Sequence, residues 1–124
     1  MTSCDTDFDD WIVAEHGRRG DFTMLFVLVA IRAETGAVDI LRGAWLHVVG
    51  PDLRWPEMAA ILANAGADWS AAAFFAAGAE GLVPDPTARE RLAALGRALH
   101  EDRRLIRKGA FFNQAGLALR LDDA

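Results

Sequence analysis

Histidines are the first residues to test for chemistry, because a neutral imidazole is a common metal ligand and carries protons near neutral pH. The chain has three: His16, His47 and His100. Two ligands share a helix face when they lie three or four residues apart, and no Asp, Glu, Cys or second His lies at that distance from any of the three. The sequence therefore predicts no metal site, since one would need side chains assembled entirely by tertiary contacts.

Nucleophilic side chains are also few, and they lack the patterns that activate them. Cys4 is the single cysteine, and the two serines, Ser3 and Ser70, lie in no G-x-S-x-G turn. The sequence has no P-loop and no G-x-G-x-x-G fingerprint. We assign no catalytic residue and no cofactor. A small enzyme of unknown reaction is kept as the second alternative, because carboxylate pairs built by the fold leave no sequence motif.

Charge is distributed unevenly along the chain, which carries a net charge of −5. Residues 87–121 hold eight basic and three acidic groups, whereas the remaining residues hold five basic and fifteen acidic groups. Arginine and aromatic side chains are enriched in protein interfaces. The leading functional prediction is a non-enzymatic interaction module (an adaptor, inhibitor or regulator) that binds another protein or a second copy of itself. The residues predicted to make these contacts are Arg103, Arg104, Arg107, Lys108, Phe111, Phe112, Leu117 and Leu119.

The same region favours a first alternative, a winged-helix-like regulator that binds nucleic acid. A basic helix over residues 87–108 followed by a hairpin over residues 110–121 has the order of a recognition helix and its wing, with residues 56–79 as the preceding helix pair. The hairpin is apolar and the net charge is negative. Both properties count against this alternative, because nucleic-acid-binding domains are usually strongly basic.

Residues 21–36 must supply the buried centre, because eight apolar residues run without a break from Met24 to Ile31. Asp21 could N-cap a helix that Gly36 ends, and about 14 residues between them is an ordinary length for a helix and long for a strand. These boundaries predict a helix that is apolar almost all round. Phe, Val and Ile residues favour strands, so a hairpin with strands at residues 22–32 and 38–49 is the alternative. A membrane span is not expected, since it needs about 20 apolar residues.

Capping and turn signals place further helices around this segment. Thr6 with Asp9, and Thr87 with Glu90, have the spacing of capping boxes at helix starts. Pro56 suits the first turn of a helix. Alternating leucines after an Asn–Gly-bounded turn predict the C-terminal hairpin. The predicted helices cover residues 6–16, 21–36, 37–49, 55–66, 68–80 and 87–108.

The fold class predicted from these elements is mostly α, a compact bundle of five or six helices with a C-terminal β-hairpin. The alternative is an α+β fold in which residues 22–32 and 38–49 are strands. We expect one domain over residues 1–124, with residues 1–5 as a disordered tail. A cytoplasmic location is expected, because the chain has one cysteine and its first residues lack the basic, apolar pattern of a signal peptide.

Overall fold

The computed structural model describes residues 6–32, 34–35, 37–66, 68–78, 81–102, 104–105 and 109–119. Within them the order of elements is α1 (Asp7–Arg19), β1 (Phe22–Ile31), β2 (Val38–Val48), α2 (Trp55–Ala63), β3 (Ala71–Ala76), α3 (Asp85–Glu101) and β4 (Ala110–Asn113). The strands form one antiparallel sheet in the order β2-β1-β3-β4. The fold is therefore α+β, and the predicted bundle of five or six helices is wrong. The expected tail, residues 1–5, lies outside the described residues.

The uninterrupted apolar run is strand β1, whose residues 22–29 are all buried. Successive side chains of a strand point to opposite faces of the sheet. Phe26 and Leu28 join a core cluster formed with α1 and α2, whereas Val27 and Val29 join a second cluster formed with α3. The predicted helix is wrong here because helices cover both faces of the sheet, so a central strand can be apolar at every position.

Strand β2 follows as the second arm of a hairpin. It pairs with β1 from Phe22↔Val48 to Ile31↔Val38, with one irregularity in the register beside Leu28. The helix predicted over residues 37–49 is therefore wrong, and the alternative of two strands in this region is confirmed.

Asp21, predicted to be a helix N-cap, instead connects the start of β1 to the end of β2. Its Oδ1 accepts the backbone N–H of Gly50 at 3.0 Å and lies 2.9 Å from His16 Nε2. Gly36, predicted to end the helix, lies outside the described residues. An Asp before an apolar run can thus hold a loop rather than start a helix.

Strand β3 replaces the helix predicted over residues 68–80, of which residues 79 and 80 lie outside the described residues. Its residues 71–74 are completely buried, with Ala72 and Phe74 in one core cluster and Ala71 and Ala73 in the other. Alanine has the highest helix propensity, but propensity is a weak prior that tertiary contacts override. The small side chains suit a strand that is covered on both faces.

The first and last of the described helices, α1 and α3, agree with the helices predicted from the sequence to different degrees. The predicted capping box of α1 is confirmed, because Thr6 Oγ1 accepts Asp9 N–H and Asp9 Oδ2 accepts Thr6 N–H, both at 3.2 Å. Helix α3 starts at Asp85 with no side-chain cap, so the capping box predicted at Thr87 is wrong. It ends at Glu101, several residues before the predicted end. Among the described residues no helix is both long and apolar enough to span a membrane.

The C-terminal hairpin predicted over residues 110–121 is present as far as residue 119, and residues 120 and 121 lie outside the described residues. Strand β4 pairs with β3, and the chain then turns over residues 113–116 and returns beside β4 through an isolated bridge between Phe112 and Ala118. Gly116 has a φ of 80° and lies against Trp55, where a Cβ would come within 2.6 Å of the indole. The turn is therefore fitted against the first residue of α2.

Aromatic rings fill the core between α1, α2 and the sheet. Phe8 is fully buried and its ring centroid lies 5.1 Å from that of Phe74, 5.2 Å from Trp55 and 5.5 Å from Phe112. Trp11 borders the same group. Many of the aromatic residues are thus accounted for by one core, which weakens aromatic content as an argument for a partner.

Candidate interaction surface

The basic residues predicted to contact a partner follow the end of α3, and the structure describes one of them. Arg104 is exposed and its guanidinium contacts the Asp102 carboxylate, with 3.0 Å between Nε and Oδ1. Arg103, Arg107 and Lys108 lie outside the described residues. A partner-binding role for these four side chains stays a prediction.

The four apolar residues predicted beside them differ in exposure. Phe111 and Phe112 are 6% and 3% exposed, so their rings belong to the core. Leu119 is half-buried, and Leu117 is 47% exposed. The outer edge of β4 is also occupied, because Leu119 N–H donates to Phe111 O at 2.8 Å and Asn113 N–H donates to Leu117 O at 2.9 Å. Pairing a partner strand with β4 would have to displace this returning segment.

The opposite edge of the sheet is strand β2, with which only β1 pairs among the described strands. Thr23 of β1 accepts the Ala77 N–H, so its backbone groups point towards β3. Thr23 lies opposite His47. Two residues opposite each other in an antiparallel pair either hydrogen-bond to each other through both backbones or both point their backbone groups away from each other. The N–H and C=O groups of His47, and by alternation those of Trp45 and Gly43, therefore point outwards. We call residues 43–47 the β2 edge.

Polar side chains border the β2 edge on the face covered by α3. The Asp85 Oδ1 atom accepts from Trp45 Nε1 at 3.1 Å and lies 2.6 Å from His47 Nε2. The Arg89 guanidinium carbon lies 5.7 Å from the centroid of the Trp45 ring, within cation–π range. These contacts fix the start of α3 over β2 and hold Trp45 beside the outer edge.

Thr23 extends this network into the core. Its hydroxyl oxygen accepts the Val83 N–H at 2.9 Å and lies 2.9 Å from His47 Nδ1. Because Nε2 faces the Asp85 carboxylate, the pattern assigns the proton to Nε2 and makes Nδ1 the acceptor of the Thr23 hydroxyl. The order of hydroxyl, imidazole and carboxylate is that of a hydrolytic triad, but Thr23 is completely buried and no substrate reaches its oxygen. This network therefore holds the fold together.

The contacts that Asp85 makes with His47 and Trp45 also fix the charge of its carboxylate at the start of α3. The hydrogen bond from His47 lowers the pKa of Asp85 below its ordinary value of 3.8, and the bond from Trp45 lowers it further. Asp85 also lies in the first turn of α3, where the helix dipole favours an anion. The carboxylate beside the β2 edge is therefore ionised at neutral pH.

A groove of about 280 Å³ lies next to the β2 edge on the other face of the sheet. Phe26, Leu28 and Ala44 of the sheet line it, together with Asn64 and Ala65 after α2. Side chains of an added strand would alternate between this groove, which Arg42 also lines, and the polar border near Trp45. Added strands obtain affinity from main-chain hydrogen bonds and specificity from such alternate pockets.

Metal chemistry and family resemblance supply no further assignment. Among the described residues no three His, Cys, Asp or Glu side chains lie close enough together to hold a metal ion. Comparison of the chain with protein families, curated proteins and solved structures finds no match. A functional proposal therefore has to be argued from the geometry of this chain.

Sequence reasoning missed the β2 edge because it treated residues 37–49 as a helix. The signal that could have identified it is composition. Asp39, Arg42 and His47 interrupt β2, whereas no charged residue or histidine occurs between Phe22 and Ile31 in β1. Charged residues are common on edge strands, where they limit unwanted pairing.

Proposed function

We propose that this protein is a non-enzymatic interaction module that self-associates by pairing its β2 edge with the β2 edge of a second copy. The observation that carries the proposal is the β2 edge, residues 43–47, whose outward backbone groups meet no other strand of the described chain. A long unpaired edge is a template for strand addition. The β4 edge, covered by residues 117–119, offers no equivalent.

The spacing of the outward groups supports a second copy as the occupant. Antiparallel pairing about a two-fold axis at Trp45 would place Trp45 opposite its counterpart and Gly43 opposite His47 of the second copy. All these residues direct their backbone groups outwards, so about six hydrogen bonds could form. Gly43 has no side chain to obstruct the opposing imidazole. One surface would thus satisfy both sides of a symmetric interface.

Helix α3 supports the same arrangement. Arg89 overlies Trp45 near the edge, and at 3.6 residues per turn Ala93 and Gly96 lie on the same flank of the helix. Ala93 is exposed, and a Cβ at Gly96 would meet no atom within 4 Å. Small residues on this flank would let the two α3 helices approach each other above the joined sheet.

The test is the molar mass of the 13.5 kDa chain, measured by sedimentation velocity over a range of concentrations. Leu41 is 37% exposed in β2, two residues before the β2 edge, where the proposed pairing puts it opposite Val49 of the second copy. Leu41→Lys sets a charge against that apolar side chain and opposes the pairing. Val13→Lys is the matched control, because Val13 is also exposed, at 47%, and lies on α1, which takes no part in the proposed pairing. We expect the wild type and V13K to reach twice the monomer mass at high concentration, whereas L41K remains monomeric.

Hydrogen exchange identifies the surface that is used. The amide protons of Gly43, Trp45 and His47 should exchange more slowly as the concentration rises, because the second copy would accept their hydrogen bonds. A wild type that is monomeric at every concentration would refute self-association. A dimer that L41K leaves intact, with unchanged exchange at these amides, would place the interface elsewhere.

The two alternatives from the sequence stay predictions, since no observation in the described residues favours either. The helix pair required by a winged helix over residues 56–79 is replaced by α2 and β3. We also propose a cytoplasmic setting, which rests on the single cysteine, Cys4.

A further inference from the structure

A second groove, of about 530 Å³, lies between α1 and the part of β3 that runs past the start of β4. We call it the arginine groove, and the lining residues that matter are Trp11, Glu15, Arg18, Arg19, Phe75 and Ala76. It is separated from the β2 edge by the width of the sheet, since β3 and β2 lie on opposite sides of β1. Its chemistry is therefore independent of the proposed self-association.

The groove is built around a buried carboxylate held by two arginines. Glu15 is 6% exposed; its Oε1 accepts from Arg19 Nε at 2.8 Å and its Oε2 contacts Arg18 Nη2. The Arg18 and Arg19 side chains are 66% and 31% exposed, so a ligand entering from solvent meets them before it meets Glu15. The three groups together carry a net charge of +1, which favours an anion.

Both guanidinium groups retain donors for such an anion. Each guanidinium has five N–H donors in a planar fork, and the carboxylate of Glu15 contacts one nitrogen of each. The salt bridges to Glu15 also hold the two side chains in place, so less side-chain freedom is lost when a ligand binds. Arginine forks match the geometry of carboxylate and phosphate oxygens.

The rest of the groove offers apolar surface and one further backbone donor. The half-buried Trp11 lines it from α1, whereas Phe75 lines it from the edge of the sheet and packs against the core cluster on the α3 face. Described pairing of β3 with β4 ends at Phe74↔Ala110, and Ala77 points its N–H towards β1. The N–H of Ala76 therefore points to the β4 side of the strand, where none of the described residues accepts it.

Glycine sets the rim of the groove. A Cβ at Gly109 would come within 2.7 Å of both Phe74 O and the Phe75 ring. The backbone approaches β3 this closely only because residue 109 has no side chain. The opening beside Phe75 is thus a fixed feature of the fold.

We propose that the arginine groove binds a small organic anion, a carboxylate or phosphate ester attached to a flat apolar body. The anionic group bonds to the N–H donors of Arg18 and Arg19 that Glu15 does not occupy, and the flat body lies against Trp11. Glu15 positions the arginines and sets the net charge of the site, without contacting the anion.

The first experiment compares probes that share a ring and differ in charge. Phenylacetate, phenyl phosphate and phenethylamine are titrated into the ¹⁵N-labelled full chain and followed by NMR. We expect saturable shifts around Trp11 and Ala76 for at least one anion, with a Kd of about 1 mM or tighter for a ligand of this size. The anion that binds more tightly identifies the group recognised. Equal binding of the amine, or no saturable shift with either anion, overturns the proposal.

Two substitutions with opposite expected signs separate binding from general structural effects. Arg18→Gln removes a charged donor and should weaken the bound anion about tenfold. Glu15→Gln keeps the shape and an acceptor oxygen for the arginines but raises the net charge to +2. The added unit charge should outweigh the weaker hold on the arginines, so binding should tighten by about threefold to tenfold. Arg97→Gln is the matched control, because Arg97 is an exposed arginine on α3, and it should change nothing. Weaker binding in E15Q, or equal effects of R18Q and R97Q, refutes the assignment.

Discussion

Replacing Asp9 by Ala removes a single carboxylate that serves the starts of two helices. Asp9 is 5% exposed; its Oδ1 accepts the Trp55 N–H of α2 at 2.6 Å, and its Oδ2 accepts the N–H of Thr6, which caps α1. The first N–H groups of a helix have no partner within the helix, so a side chain or water must supply one. One acid therefore satisfies donors in two elements that lie 46 residues apart in the chain.

The cost of Asp9→Ala can be estimated from these two losses. Losing the bond from the Thr6 N–H, which is the Asp9 half of the capping box, costs about 1 kcal/mol. The Trp55 N–H belongs to a residue that is 6% exposed, and a buried donor without an acceptor costs about 1–3 kcal/mol. The expected destabilisation is therefore about 2–4 kcal/mol, a large part of the 5–15 kcal/mol of a typical domain. For a chain of this length the melting temperature should fall by roughly 8–16 °C.

The assay is urea unfolding followed by circular dichroism, with Asp10→Ala and Asp9→Asn as companions. Asp10 lies in the same turn but is exposed, so its replacement should change the free energy of unfolding by less than about 0.5 kcal/mol. D9N keeps one acceptor oxygen and should cost about half as much as D9A. Equal free energies of unfolding for D9A and D10A would refute the double-cap interpretation.

Two further changes test other contacts. Gly116→Ala should destabilise the fold by about 2–4 kcal/mol in urea unfolding, because it adds a Cβ 2.6 Å from the Trp55 ring at a φ of 80°. The control is Gly50→Ala, which has a φ of 78° but open space around it and should cost only about 1 kcal/mol. Equal costs for the two variants would contradict the contact with Trp55. The pKa of Asp85 is lowered mainly by the hydrogen bond from His47, so its carboxylate stabilises the fold above the ordinary value of 3.8, and this contribution is lost as the pH falls through the lower folded-state pKa. Asp85→Asn should therefore flatten the fall in stability as the pH drops below the ordinary pKa of 3.8, measured by urea unfolding at several pH values. Parallel curves for D85N and the wild type would count against the bond.

The sequence predicts a helix correctly where neighbouring residues alone determine how the helix begins. The reciprocal Thr6–Asp9 cap and the proline in the first turn of α2 need only neighbouring residues, and both helices are present. The second role of Asp9, at Trp55, depends on how the helices meet. No spacing in the chain encodes it.

The central segment was misassigned because its residues are compatible with two kinds of burial. An all-round apolar helix and a strand covered on both faces both consist of apolar residues without polar alternation. Asp21 and Gly36 suggested helix ends, yet both residue types are equally common in loops. The strand propensity of Phe26, Val27 and Val29 was the better guide, because β1 has helices on both sides to cover it.

The candidate surface can be argued from β1 once it is known to be a strand. Eight consecutive buried residues place β1 in the interior of the sheet, with a neighbouring strand on each side. β2, joined to it by a hairpin, takes one side and β3 takes the other, so the polar residues of β2 fall at the boundary of the sheet. β4 adds to β3 because its two adjacent aromatic residues, Phe111 and Phe112, need cover on both faces, and β3 lies beneath both core clusters. β2 is therefore the strand that keeps an available edge, because the other strands require more burial.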